Sequence, residues 1–170
     1  MNEHIRSQLI LSMKNKYLSE IQECKSTLLI YFNNPVAIGE HPQHLEEIDK
    51  LLEKASEADE HRRSGKPIGS LHGVPVALKD IIGTVDMPTE CGTVIRKGKS
   101  YSQNAEIVEL LHSAGAIVMG KTNTSELAYL GPAKTTNPHD YSRTPGGSSS
   151  GSAASVASLM APLSIGSQTG

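Results

Sequence analysis

The sequence predicts an α/β fold in which a mixed sheet is flanked by helices. From residue 65 onward, short apolar segments typical of strands alternate with segments of helical periodicity, as in a sheet with helices packed on its faces. The composition, 37% hydrophobic and 20% charged over 170 residues, is ordinary for a domain with a hydrophobic core. Because there is no tryptophan and only one phenylalanine, that core must be aliphatic and rich in alanine.

Two amphipathic helices are predicted within residues 1–65. The first covers 4–31, where apolar residues recur at steps of three or four: Ile5, Leu9, Met13, Tyr17, Ile21, Cys24 and Leu28. An Asn-Asn-Pro sequence at 33–35 ends it. The second runs from about Leu45 to Arg63, and its apolar face comprises Leu45, Ile48, Leu51, Leu52, Ala55 and Ala58. Its acidic face is explained by solvation alone.

The later elements are expected to build the sheet and its covering helices. In chain order they are a strand within 71–82, a helix over 104–115 capped by Gly115, a strand at 116–119, a short helix from an Asn123 N-cap to Leu130, a small-residue helix over 152–161 and a strand over 162–170. Alternation within the first strand places Lys79 on the face opposite Val74, Val76 and Leu78.

Charge and cysteine content exclude several classes of function. The net charge of −2 and the pI of about 6.4 argue against a broad basic surface for nucleic acid. No run of about 18 apolar residues occurs, so no membrane-spanning helix is predicted. Cys24 and Cys91 are far apart and form no CxxC pair, which favours reduced thiols and a cytoplasmic location. His41 and His44 lack suitably spaced partners for a metal site. Neither a metal nor an organic cofactor is implied by the sequence.

A literal phosphate-loop pattern, G-x-x-x-x-G-K-T, occurs at 115–122. In a nucleotide-binding loop the four middle residues form the turn whose backbone N–H groups hold phosphate. Here those residues are Ala, Ile, Val and Met, which are typical of a strand, and the first glycine precedes that strand instead of following it. The pattern therefore indicates a helix cap followed by a strand, and a nucleotide-binding protein is the least favoured alternative.

A glycine- and serine-rich run, PGGSSSGSAAS at 145–155, has the composition of a flexible linker. The segments before and after this run indicate a different interpretation. Three segments, LHGVPVALKD, AGAIVMGKTNTSELAY and RTPGGSSSGSAAS followed by PLSIGSQTG, resemble successive blocks of the amidase signature family in order and spacing. The resemblance covers residues 66–170 and implies the N-terminal portion of an amidase signature domain, preceded by the helices of 1–65. It implies an enzyme that hydrolyses amide C–N bonds.

Amide hydrolysis requires a nucleophile, a base that deprotonates it and donors for the developing oxyanion. A lysine can act as base only where its ammonium form is destabilised. The family relays a proton from a nucleophilic serine through a bridging serine to lysine. The resemblance implies that Lys79 is the base and Ser148 the bridge, with a cis peptide before Ser148.

Further residues receive supporting roles from the same resemblance. Gly146, Gly147 and Ser149 support the loop of the bridging serine. From its position next to Lys79 in the sequence, Asp80 is a candidate for positioning that lysine. From the local pattern, Ser149 and Ser150 are expected to hydrogen-bond within the loop and Ser152 to cap the following helix.

The oxyanion segment is expected to begin at Thr169 and Gly170, with the nucleophilic serine just beyond. The sequence is accordingly interpreted as an N-terminal fragment that lacks the nucleophile. The segment after Asn123 is shorter than is usual in the catalytic subunit of tRNA amidotransferases, and Gln168 replaces their usual aspartate. Both departures favour a stand-alone amidase acting on a small-molecule amide. The catalytic subunit of a tRNA amidotransferase and a non-catalytic truncated homologue remain alternatives, and a homodimer of the complete protein is left open.

Overall fold

A computed structural model describes residues 44–129 and 131–168. Its helices are α1 (His44–Arg63), α2 (Glu106–Ser113) and α3 (Ser150–Ala157). Its strands are β1 (Pro75–Lys79), β2 (Ile117–Thr122) and β3 (Leu163–Ile165), and two short 3-10 helices occupy Val94–Arg96 and Glu126–Ala128. The helix predicted for 4–31 lies outside the described residues.

The strands form one three-stranded parallel sheet in the order β2-β1-β3. In the central strand, Leu78 lies beside Lys121 of β2 and Ile165 of β3. The register shifts by one residue between Val76 and Ala77. Helices between parallel strands are typical of α/β proteins, and the predicted fold class is confirmed.

The two faces of β1 have different surroundings. Val76 and Leu78 are both 0% exposed and belong to the hydrophobic core. The other buried residues of that core are Val108 and Leu111 of α2, Val118 of β2, and Ala116, which directly precedes β2. Ala77 and Lys79 alternate with the core residues and therefore point to the opposite face, where α3 packs. The sheet thus separates an apolar core from the side that carries Lys79.

Helix α1 confirms the prediction for residues 45–63, but its apolar face is only partly covered. Leu51 and Ala58 are half-buried, whereas Leu52 is 59% exposed. The helix is joined to the segment before β1, because the backbone oxygen of Ala58 lies 2.9 Å from Nε2 of His72. A continuous apolar stripe was therefore a sound indicator of the helix and a poor indicator of burial.

Strand β1 is shorter than the predicted 71–82 because turns close on both sides. Val74 N–H donates to the oxygen of Leu71, and the N–H groups of Ile81 and Ile82 both donate to the oxygen of Lys79. The prediction at Gly115 is confirmed: its φ is +81°, and it follows α2 as the left-handed residue that commonly ends a helix. Since 117–122 form β2, the phosphate-loop pattern is not a phosphate loop.

The helix predicted from Asn123 is wrong. Only a 3-10 turn forms at Glu126–Ala128, and Leu127 and Ala128 have φ values of 51° and 56°, which an α-helix does not admit. Glu126 does not complete a capping box. Its carboxylate accepts a hydrogen bond of 2.7 Å from Oγ1 of Thr93, so tertiary contact replaces the local motif.

Candidate active site

Three segments that are distant in sequence meet at one edge of the sheet. The carboxyl ends of parallel strands lie at the same edge, and binding sites of α/β proteins form there. Lys79 ends β1, Thr122 ends β2 and Ile165 ends β3. The loop of the glycine- and serine-rich run joins this edge and leads into α3.

Lys79 is fully buried at this edge, with 0% of its surface exposed. Its Nζ donates hydrogen bonds to Oγ of Ser148, at 2.6 Å, and to Oγ of Ser167, at 2.7 Å. Burial lowers the pKa of Lys79 below its ordinary value, because the charged ammonium loses hydration. A lysine whose neutral form is favoured, in contact with a hydroxyl group, can accept that group's proton.

Ser148 is held through both its side chain and its backbone. It is 5% exposed, and the Gly147–Ser148 peptide is cis, as the family resemblance implies. Its backbone oxygen accepts hydrogen bonds from Oγ1 of Thr124, at 3.0 Å, and from the N–H of Ser125, at 3.1 Å. Gly146 has a φ of +87°, a left-handed conformation that glycine adopts readily.

The serines after Ser148 have different roles from those expected of them locally. Ser149 Oγ donates to the backbone oxygen of Ser167 and accepts from its N–H, each at 3.0 Å, so it ties the loop to the segment after β3. Ser150 was expected to bond within the loop, but its buried hydroxyl has no partner among the described residues. Ser152 is not the cap, since α3 begins two residues earlier; its Oγ lies 2.8 Å from Oγ1 of Thr122.

Asp80 does not position Lys79. Its carboxylate accepts hydrogen bonds from the N–H groups of Glu90, at 3.0 Å, and Gly92, at 3.3 Å, and so holds the loop that follows β1. Burial raises the pKa of Asp80, and those two N–H groups oppose the effect.

A second lysine, Lys121, holds the loop that follows β1 by hydrogen bonds. Its Nζ donates to Oγ1 of Thr89, at 2.6 Å, and to the backbone oxygen of Ile82. Burial lowers its pKa to about 8. Lys121 is paired with Leu78 and therefore lies on the opposite face of the sheet from Lys79.

The remaining candidates fall partly outside what the structure describes. Thr169 and Gly170 lie beyond the last described residue, so the expected oxyanion segment stays a prediction. Among residues 44–129 and 131–168, no three histidine, cysteine or acidic side chains are grouped as a metal site would require. In that same part of the chain, no helix is long and apolar enough to cross a membrane.

Of the two cysteines, Cys91 is a half-buried free thiol, and Cys24 is not described.

Two residues at the site were missed by sequence reasoning. Ser167 contacts Lys79 directly, and Thr124 contacts the backbone of Ser148. A signal for both was available, because each follows the end of a strand by two residues, and the ends of parallel strands lie at one edge of a sheet. Their partners could not be identified without the strand order.

The chain is similar to known proteins over most of its length. The family model for amidases matches residues 43–170. The chain is 45% identical over 130 residues to a glutamyl-tRNA(Gln) amidotransferase subunit from Thermobifida fusca, and the alignment covers 72% of this chain and 26% of that protein. The chain thus spans about a quarter of the length of the curated relatives it matches.

Solved structures give the same result. The native peptide amidase of Stenotrophomonas maltophilia is 36% identical with a TM-score of 0.65, over 76% of this chain and 27% of that one. The corresponding glutamyl-tRNA(Gln) amidotransferase subunit from Thermotoga maritima is 38% identical with a TM-score of 0.55, over 59% of this chain and 24% of that one. Because the family model extends over most of the sequence and these structures share its fold, the chain belongs to the amidase signature family.

Proposed function

We propose that the full-length protein containing this chain hydrolyses an amide C–N bond with a Ser-Ser-Lys relay. The observation that carries the proposal is the contact of 2.6 Å between Nζ of buried Lys79 and Oγ of Ser148. A base of this kind must be neutral to accept a proton, and burial favours the neutral amine. Ser148 then serves as the bridge between Lys79 and a nucleophilic serine, which is expected shortly after Gly170 from the resemblance to the family.

The proposed reaction has two stages. Lys79 accepts the proton of Ser148 while Ser148 accepts that of the nucleophile, whose oxygen attacks the substrate carbonyl. Backbone N–H groups near Thr169 and Gly170 stabilise the oxyanion, and the relay returns the proton to the leaving nitrogen as the C–N bond breaks. Water then attacks the seryl ester and the same relay takes its proton. The ester C–O bond breaks, the relay returns the proton to the oxygen of the nucleophile, and the acid is released.

The proposed division of the chain follows the motif blocks that resemble the family. Residues 66–170 are proposed to supply the base, the bridge and the start of the oxyanion segment, and residues 1–65 to form a preceding helical part. The rest of the domain, including the nucleophile, belongs to the part of the protein that this chain does not cover. A small-molecule amide is the proposed substrate, and a cytoplasmic location and a homodimer stay predictions from the sequence.

A direct test is release of ammonia by the full-length protein from a panel of aliphatic, aromatic and peptide primary amides. We expect hydrolysis of at least one, and loss of at least about 1,000-fold in kcat in Ser148→Ala. Ser155→Ala is the matched control, since Ser155 is 4% exposed and its Oγ donates to the backbone oxygen of Ser152, at 3.0 Å. A folded Ser148→Ala variant that retains more than a tenth of wild-type kcat would show the assignment of the bridge to be wrong.

The catalytic subunit of a tRNA amidotransferase is the second candidate, favoured by the 45% identity to such a protein. An enzyme of that kind would require partner subunits. Gln168 and the short segment after Asn123 favour a stand-alone amidase. The two are separated by assaying the purified protein alone: turnover of a simple amide without partners supports the amidase, and glutamine hydrolysis that depends on co-purified subunits supports the amidotransferase.

A further inference from the structure

Thr124 connects the loop after β1 to the loop of the bridging serine. Its Oγ1 donates a hydrogen bond of 3.0 Å to the backbone oxygen of Ser148. Its methyl group packs near the first loop, where a Cβ at Gly92 would come within 3.2 Å of Cγ2 of Thr124. The side chain is only 4% exposed, so both contacts are shielded from water.

We propose that Thr124 is a positioning residue for the relay: its hydroxyl group fixes the backbone of Ser148 so that Oγ of Ser148 stays within reach of Lys79. The proposal rests on the proposed function. Thr124 itself touches neither Lys79 nor the reacting atoms, and it acts through the carbonyl of Ser148.

Residues 123–125 contact residues 148–151 through two backbone hydrogen bonds and one side-chain hydrogen bond, which the hydroxyl of Thr124 donates. The N–H of Ser125 donates to the same oxygen of Ser148, and the N–H of Gly151 donates to the backbone oxygen of Asn123 at 2.8 Å. Both of those bonds join backbone atoms, so neither depends on a side-chain hydroxyl. The hydroxyl adds a second donor to the Ser148 oxygen, and two donors restrict rotation of that peptide group more than one does.

Such restriction matters because proton transfer depends steeply on distance. Lys79 and Ser148 are in contact at 2.6 Å, and a displacement of the order of 1 Å at a catalytic group can cost about 100-fold in rate. Loss of one of two donors should produce a smaller displacement, since the bond from Ser125 remains. We therefore expect a decrease of about 10-fold in kcat with little change in KM.

Two comparisons at position 124, threonine with valine and serine with alanine, separate the effect of the hydroxyl from that of the methyl group. Thr124→Val removes the hydroxyl and keeps the methyl contact near Gly92. Thr124→Ser and Thr124→Ala both lack that methyl group and differ only in the hydroxyl. The comparison of alanine with serine therefore tests the hydrogen bond even if the valine variant does not fold.

Thr84→Val is the matched control. Thr84 is 0% exposed, and its Oγ1 donates to the backbone oxygen of Met87 at 2.9 Å, away from Lys79 and Ser148. Its substitution also deletes one buried hydroxyl that bonds a carbonyl. Any general effect of such a deletion on the fold should appear in Thr84→Val as well.

The experiment measures kcat and KM of the full-length protein on the primary amide that the wild type hydrolyses fastest, with thermal unfolding as the check on folding. We expect kcat to fall about 10-fold from threonine to valine and from serine to alanine, with KM within about 2-fold, while Thr124→Ser and Thr84→Val stay within about 3-fold of wild type. Equal kcat for the serine and alanine variants, or an equal loss in Thr84→Val, would overturn the role of Thr124. A wild type that hydrolyses no amide would overturn the proposed function itself, and this role with it.

Discussion

Burial of Lys79 beside two hydroxyl groups favours its neutral amine, and this imposes a pH dependence on the proposed reaction. The side chain is excluded from water and pairs with the neutral hydroxyls of Ser148 and Ser167, neither of which carries a charge to compensate an ammonium. Burial accordingly lowers the pKa of Lys79. Only the neutral amine can accept the proton of Ser148, so activity should increase as pH rises through the pKa of Lys79.

The pH profile of kcat/KM checks this expectation. Between about pH 6 and pH 11 we expect kcat/KM to rise with pH and to begin to level off with a midpoint below 10.5, the ordinary lysine value, because burial has moved the pKa downward. The measurement uses the full-length protein and a neutral amide, so that the substrate does not titrate. A rate that falls across this range, or that shows no approach to a plateau at its upper end, would contradict a buried lysine as the base.

Residues of the site differ in how far the sequence could identify them. Alternation in β1 correctly predicted that Lys79 faces away from Val76 and Leu78, but it could not distinguish burial from exposure. Its partner Ser167 is 88 residues away, and no local pattern encodes a contact over that separation. The prediction for Asp80 had the opposite fault. Adjacency in sequence suggested a contact with Lys79, but successive side chains point to opposite sides, and the carboxylate binds the N–H groups of Glu90 and Gly92 instead.

Among the elements, α3 depends on small residues because it approaches the end of β2 very closely. A Cβ at Gly151 would collide with the backbone nitrogen of Asn123 and lie 2.7 Å from its backbone oxygen. Backbone atoms cannot move aside as a flexible side chain can. The glycine of this run is therefore a packing requirement, and the run is part of the fold instead of a linker.

Gly151→Ala should destabilise the protein for this reason. We expect a loss of about 1–3 kcal/mol in the free energy of unfolding, despite the better helix propensity of alanine. Gly120→Ala is the control: Gly120 lies in β2, nothing stands within 4 Å of a Cβ there, and the change should stay within about 0.5 kcal/mol. Denaturant unfolding of both variants measures the difference, and equal stabilities would show that α3 can move away from β2 at little cost.

Local patterns predicted the elements better than their ends. The periodicity of 45–63 and the glycine at 115 marked a helix and a helix end correctly. The capping pattern at Asn123 did not mark a helix start correctly. The carboxylate of Glu126 accepts a hydrogen bond from Thr93, and the backbone oxygen of Asn123 accepts one from the N–H of Gly151 in α3. Tertiary contacts thus override a local motif where three segments meet, which is also where the site lies.

At the scale of the whole molecule, the parallel sheet brings sequence segments that are far apart in the chain together at the candidate site. Its order, β2-β1-β3, brings the ends of three strands together, and each block that resembles the amidase family contributes one of them. The sequence therefore predicted the family and the pair of Lys79 and Ser148, because those are carried by motifs. It could not predict Thr124 or Ser167, because their roles depend on which strands are neighbours.

The central claim is that Lys79 is the base of an amide hydrolase, and its most direct test is the kcat of Lys79→Met in the full-length protein. Lys121→Met is the matched control, since Lys121 is a partly buried lysine on the neighbouring strand and the opposite face of the sheet. We predict that Lys79→Met loses at least about 1,000-fold in kcat while Lys121→Met stays within about 3-fold of wild type, with both variants folded. A folded Lys79→Met protein that keeps more than a tenth of wild-type kcat would contradict the claim.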